Sequence, residues 1–190
     1  MKSEILSQVY NHPRIRPGEL TQIIDAHQKV AFQKGDFILR QGERAQNYMI
    51  MEEGLMRSFL YDVNGKDITT DFFCNHDIII EVLSLFQRTP TSENIQALKD
   101  STCWKIDYDV FQALFHSIDG FAEWGRLWMS NSLFQFKQRS LDMVSISAKD
   151  RYMRLIQEKP QVVLHAPLKN IASYLGITDT SFSRIRKEIS

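Results

Sequence analysis

Cysteine is nearly absent from this 190-residue chain: Cys74 and Cys103 are the only two. Two thiols cannot build a disulfide scaffold, a four-cysteine metal centre or the cysteine cluster of an iron–sulfur sensor. Redox sensing by either one would need an exposed thiol of low pKa. Long apolar runs are missing as well. Stretches such as Ile78–Ile80 fall far short of the ~18–20 residues of a membrane span. The opening segment, MKSEILSQVYNHPRIRPGE, has no apolar signal-peptide core. Net charge is zero, with 23 Lys and Arg against 23 Asp and Glu, so the whole chain is neither a polycation nor an acidic tail. No glycine-rich phosphate loop follows a strand, and no Ser/His/Asp, Cys/His or metal-ligand constellation stands out, so no enzyme is expected. His12, His27, His76, His116 and His165 are scattered and mark no haem ligand. Repeats and low-complexity tracts are also lacking. What remains is ordinary globular composition, 43% hydrophobic and 24% charged. That is the composition of a soluble, cytoplasmic protein of one large or two small domains.

The charge that is present is uneven. From Lys149 onward eight positive residues face four negative ones, leaving an acidic body of fifteen against nineteen. Such asymmetry points to a polyanion partner for the basic end, although a solvated basic surface would look the same.

Three zones follow along the chain. In about residues 20–106, Gly35, Gly42, Gly54 and Gly65 bound short segments rich in aromatic and β-branched residues: Val30–Gln33, Asp36–Arg40, Tyr48–Glu52 and Leu55–Asp62. Strands of that length at that spacing predict an all-β sandwich or barrel. Asn64-Gly65 predicts a type I′ turn joining Leu55–Tyr61 to Ile68–Phe73. A further strand pair is expected at Ile95–Leu98 and Thr102–Ile106. In about residues 107–145, Asp107–His116 reads as a short helix and Asp119 as the cap of a long one. The stripe Phe121, Trp124, Leu127, Trp128, Asn131, Phe134 recurs at helical spacing. About 25 residues span roughly 37 Å at ~1.5 Å per residue. Such a stripe either packs on the β domain or forms a seam between two copies. In residues 146–190, Ser147 caps a helix that stops at Pro160, Gln161–His165 reads as an extended link, and Pro167 opens another helix. Gly176 ends that helix, and Thr178 caps the last one.

The segment from Leu168 to Lys187 is a helix-turn-helix pattern. Ala172 is small enough for a close crossing, Gly176 makes the turn, and Ile177, Phe182 and Ile185 fill the angle. In such motifs the second helix enters the major groove. Arg184 suits guanine, because its fork donates two bonds to O6 and N7. Thr180 and Ser183 share the exposed face, while Lys169, Thr178, Ser181 and Lys187 are placed to hold phosphates. Asp179 is unfavourable near phosphate.

With these residues in view the chain resembles the Crp/Fnr regulators, the catabolite activator protein family. The resemblance runs through Phe32-x-x-Gly35-x-x-Ile38-x-x-x-Gly42, then Tyr48-x-Ile50-x-x-x-Gly54-x-x-Arg57, the Asn64-Gly65 hairpin, the long helix and the helix-turn-helix. It implies an α+β fold: an N-terminal double-stranded β-helix or jelly roll of the cyclic-nucleotide-binding type over 1–118, a long dimerisation helix over 119–145 and a DNA-binding domain over 146–190. It implies a homodimer reading an inverted repeat in double-stranded DNA, with RNA polymerase as a further candidate partner and no membrane. In this family a Gly-Glu-Leu step and a later Arg-Ser step form the phosphate cassette. The matching pocket residues are Glu81, Val82, Thr91 and Ser92. Ile80 replaces the glycine and Thr91 the arginine, so a cyclic phosphate would be buried without its cation. Arg88 lies three residues early. The effector is therefore unknown and not expected to be a cyclic nucleotide, and no cofactor is predicted. The sequence ends near Lys187, where relatives continue into a β-hairpin wing, so weaker DNA binding is expected. A ligand-binding or protein-interaction module whose helix-turn-helix no longer binds DNA stands as the alternative.

Overall fold

In a computed structural model, residues 2–189 are described. The chain opens with α1 (Lys2–Val9) and α2 (Pro17–Asp25), then forms β1 (Gln28–Phe32), β2 (Phe37–Leu39), β3 (Asn47–Glu53), β4 (Met56–Tyr61), β5 (Asp67–Phe73) and β6 (Ile78–Ile79). A short α3 (Val82–Gln87) leads to β7 (Asn94–Ala97) and β8 (Ser101–Asp107). The rest is helical: α4 (Tyr108–Ser117), α5 (Asp119–Ser145), α6 (Ala148–Glu158), α7 (Pro160–His165), α8 (Leu168–Tyr174) and α9 (Asp179–Ile189).

The strands make two antiparallel sheets, ordered β1-β8-β3-β6 and β2-β7-β4-β5. Their inward residues, among them Leu39, Ile50, Met56, Ile95, Cys103 and Ile106, form one apolar core. Gly54, between β3 and β4, has φ +140°, and a Cβ there would lie 2.8 Å from the Ser101 Cα of β8. Only glycine lets the two segments come that close.

The β4–β5 connection lies where Asn64-Gly65 predicts it, with a different turn. Gly65 has positive φ and Asn64 does not. The Asp62 carboxylate accepts from the Asn64 and Lys66 N–H groups at 2.8 and 2.9 Å. This Asx arrangement lengthens the loop and removes the need for a second left-handed residue.

Three helix boundaries differ from expectation. Asp119 is the first residue of α5 rather than its cap; Ile118 holds the cap position with no side-chain bond. Pro167 is the cap of α8 rather than its first residue. The expected extended link at Gln161–His165 is helix α7, because Pro160 both ends α6 and supplies a ready-made first residue for the next helix.

The N-terminal helices fold back onto α5. Trp124 donates its indole N–H to the Val9 carbonyl at 2.8 Å. Tyr10 is fully buried, edge-on to Phe121 and Trp124. A second apolar cluster joins Leu55, Phe72 and Leu98 of the β domain to Tyr152, Leu155, Ile171, Ala172, Leu175 and Phe182 of the C-terminal helices. The helix-turn-helix is thus packed onto the sheet that carries β5.

Candidate nucleic-acid interface and sensor pocket

The turn between α8 and α9 is a full Schellman motif. Ile177 N–H donates to the Ala172 carbonyl and Gly176 N–H to the Ser173 carbonyl, both at 3.0 Å. Gly176 has φ +69°, the left-handed conformation this stop requires. Thr178 then caps α9, accepting from the Ser181 N–H at 3.2 Å, with the two hydroxyls 3.0 Å apart. Ala172 and Phe182 are buried in the angle, with Ile177 and Ile185 partly so. The side chains expected to meet DNA on α9, Thr180, Ser183 and Arg184 toward the bases and Lys187 toward a phosphate, are all exposed, and Lys169 is exposed on α8. Thr178 and Ser181 are placed differently, since their hydroxyls serve the cap. Asp179 is exposed in the first turn, where it meets the positive end of the helix dipole.

The expected pocket residues do not converge as a phosphate cradle. The Glu81 carboxylate accepts from the Ser84 N–H at 2.6 Å and caps α3. Val82 is exposed. Thr91 is buried, its backbone bonded to Gly42 and Glu43 and its hydroxyl to the Glu93 N–H. Ser92 faces solvent. Arg88 cannot stand in for the absent cation, because its guanidinium donates to Ala45 O at 3.0 Å and Gln46 Oε1 at 2.7 Å and covers the Tyr108 ring. A cavity of about 170 Å³ lies beside this region, lined by Ile38, Leu39, Glu43, Gln46, Ile80 and Glu81. That is smaller than the ~300–1,000 Å³ of usual ligand pockets. Burial pushes the Glu93 carboxyl up, Thr70 opposes this by hydrogen bonding, and Glu81 and Asp71 add to it.

Of the stripe expected to form a seam, Phe121 is fully buried within its own chain and Trp124 is committed to Val9 and Tyr10. Phe121 is thus a core residue of its own chain, while Trp124 packs against that core and stays partly exposed. Trp128 is half-buried, whereas Leu127, Asn131 and Phe134 are exposed. Exposed Leu133, Phe136, Leu141 and Val144 continue the apolar surface.

Burial pushes the Cys74 thiol up to about 11 and Cys103 to about 12, so neither is a thiolate at neutral pH. Among the described residues, no group of three or more His, Cys, Asp or Glu could hold a metal ion, and no helix is long and apolar enough to cross a membrane.

The comparisons with known proteins follow this geometry. Residues 29–117 match the family described as the cyclic nucleotide-binding domain. A curated relative of that domain, the cAMP-dependent protein kinase type II regulatory subunit of Drosophila melanogaster, is 29% identical over 96 residues. Half of this chain takes part, and it spans about a quarter (24%) of that relative's length. Solved structures extend the likeness past the domain. FixK2 from Bradyrhizobium japonicum superposes with a TM-score of 0.72 and 17% identity, covering 86% of this chain and 84% of that one. The Thermus thermophilus catabolite activator protein gives 0.61 and 16%, covering 95% and 86%. The c-di-GMP-responsive regulator CLP of Xanthomonas campestris gives 0.70 and 13%, covering 92% and 91%. The segment that matches the family, the long helix and the helices after it therefore share the fold of these regulators.

Proposed function

We propose that this protein is a DNA-binding transcription regulator of Crp/Fnr type, acting as a homodimer on an inverted repeat. The observation that carries the reading is α9: a capped helix set by a Schellman turn, with Thr180, Ser183, Arg184 and Lys187 exposed on one face. Arg184 reads a guanine, Lys169 and Lys187 hold phosphates, and the N–H groups of the first turn of α9 favour a further phosphate. The exposed apolar residues of α5, from Leu127 to Val144, support a seam between two copies. The missing cassette cation and the occupied Arg88 support an effector other than a cyclic nucleotide. The expectation concerning a wing after α9 falls outside the described residues.

Titration of a random-sequence DNA duplex against salt tests the reading. Wild type is expected to bind with an affinity that falls steeply with salt, and Lys187→Ala to reduce that slope by about 1. Absence of salt-dependent binding at about 50 mM salt would contradict it.

A further inference from the structure

Tyr10, His27 and Tyr48 form a buried polar chain, with exposures of 0, 2 and 3%. The Tyr10 hydroxyl lies 2.9 Å from His27 Nε2 and 2.8 Å from the Tyr48 hydroxyl. His27 Nδ1 lies 2.8 Å from the Ile23 carbonyl. Several elements meet in this chain. Tyr10 follows directly on α1, His27 lies between α2 and β1, and Tyr48 belongs to β3.

The donors follow one from another. A carbonyl only accepts, so His27 Nδ1 carries a hydrogen. The neutral ring then has a bare Nε2, which accepts from the Tyr10 hydroxyl. Tyr10 has no second hydrogen, so the Tyr48 hydroxyl donates to Tyr10. Burial holds both phenols above the ordinary tyrosine range, and both hydroxyls keep their protons. The Ile23 carbonyl lies in the last turn of α2, and the His27 backbone N–H goes to Ile24 instead. The neutral ring therefore closes the end of that helix.

A second proton on the ring breaks this order. Nε2 becomes a donor, Tyr10 has to accept from it, and Tyr10 must then donate to Tyr48. The Tyr48 hydrogen is turned away from Tyr10, among apolar rings. Phe111 packs edge-on against Tyr48 at 5.2 Å, and Phe121 and Trp124 against Tyr10 at 5.5 and 4.7 Å. The charged residues of the surrounding elements lie toward the surface. Glu4 of α1, Asp25 of α2 and Lys29 of β1 are exposed. Glu52 of β3 pairs with Lys29 at 2.9 Å, and Lys105 of β8 with Asp107 at 3.1 Å. The negative end of the α2 dipole favours a charged ring, but by less than burial disfavours it.

We infer that this chain is a proton-operated latch: neutral His27 holds α1 and α2 against β3 and α5, and uptake of one solvent proton by the ring releases them. In the released form the ring is in water and binds a proton at about pH 6.5. The latched form does not bind it, so the latch weakens as pH falls below about 6.5. Neither DNA nor an effector enters, so the latch and the regulator reading can fail separately.

Histidine-selective nitrogen NMR and amide hydrogen exchange of the full chain, from pH 7.5 to 5, provide the test. His27 is the one buried histidine of five. Its ring is expected as the Nδ1–H tautomer and should not titrate while the other four follow the ordinary histidine range, about 6.5. After correction for the intrinsic pH dependence of amide exchange, opening of α1 and α2 should grow by up to about tenfold per pH unit below about 6.5, with α8 unchanged. His27→Gln should open more readily at pH 7.5 and lose that pH dependence. An Nε2–H tautomer, a His27 ring that titrates near 6.5 with the others, or the same pH dependence of opening in His27→Gln overturns the inference. The tautomer and the titration are read on the wild type, so the test stands even if His27→Gln does not fold.

Discussion

Phe72 is the residue on which the union of the two halves most depends. It lies on β5, is fully buried, and packs against Tyr174 with ring centroids 5.1 Å apart. It shares its cluster with Leu55 and Leu98 on one side and with helices α6 to α9 on the other. A buried phenylalanine removes about 150–250 Å² from water, worth roughly 4–6 kcal/mol at ~25 cal/mol per Å². Measured Phe→Ala changes in cores cost about 3–5 kcal/mol. The helix-turn-helix can settle slightly into the void, so Phe72→Ala is expected at the low end, about 3–4 kcal/mol. At ~2–4 °C per kcal/mol for a chain of this size, the thermal midpoint should fall by about 6–16 °C. Circular dichroism melting gives the midpoint, and hydrogen exchange over residues 146–189 shows whether the C-terminal helices loosen first. A single lowered transition means that the two halves unfold as one unit; early loosening of the C-terminal helices means that the interface opens by itself. A midpoint within about 2 °C of wild type, with exchange unaltered, would refute the packing role assigned to Phe72.

Three further outcomes follow from the same contacts. Arg57 is buried, bonded to both Asp67 oxygens at 2.6 Å and stacked 3.9 Å from the Phe59 ring. Arg57→Ala should cost about 2–3 kcal/mol in urea unfolding, less than a fully buried pair because Asp67 is a third exposed; Arg57→Ala combined with Asp67→Asn should cost less than the sum, and simple additivity would argue against the pair. Gly54→Ala forces a Cβ into the Ser101 backbone at φ +140°, so soluble yield should collapse or stability drop by more than about 3 kcal/mol; a near-neutral result would show that β8 can move aside. Burial and its neighbours raise the Glu93 carboxyl pKa in the folded state, so that state binds the proton more tightly and stability falls as pH rises from the ordinary glutamate range through the raised value. Glu93→Gln should thus be more stable than wild type at neutral pH, with the difference closing as pH approaches about 4; a difference constant with pH would mean that Glu93 is not the titrating group.

What was legible in the sequence was local. Pro160, Pro167, Gly176 and Thr178 each act within a turn of their own position, and the helix-turn-helix they delimit is present with its angle filled as expected. The same locality misled at Pro160, which reads equally as an end and as a beginning. Asn64-Gly65 placed a hairpin correctly but not its turn type, because Asp62 took over two N–H groups. The helical stripe of α5 was visible, yet periodicity cannot say which part of a stripe meets which neighbour. Phe121 and Trp124 are claimed by Tyr10 and Val9, more than a hundred residues earlier in the chain. Helix α2 does carry a start signal, Pro17 at its first position with Glu19 in its first turn. Arg139 and Lys159 gave no signal, since their partners Thr70 and Phe72 lie 69 and 87 residues away on an edge that exists only once the sheet has formed.

The most direct test of the central claim is selection of bound fragments from a random-sequence duplex pool at about 0.1 M salt, with wild type and Arg184→Ala in parallel. Two α9 helices in a symmetric dimer should enrich an inverted repeat whose half-sites lie about one helical turn, roughly 34–36 Å, apart, and Arg184→Ala should lose the preferred guanine or the repeat itself. Enrichment of no sequence at this salt and at lower salt, or a repeat recovered identically by Arg184→Ala, would contradict the account.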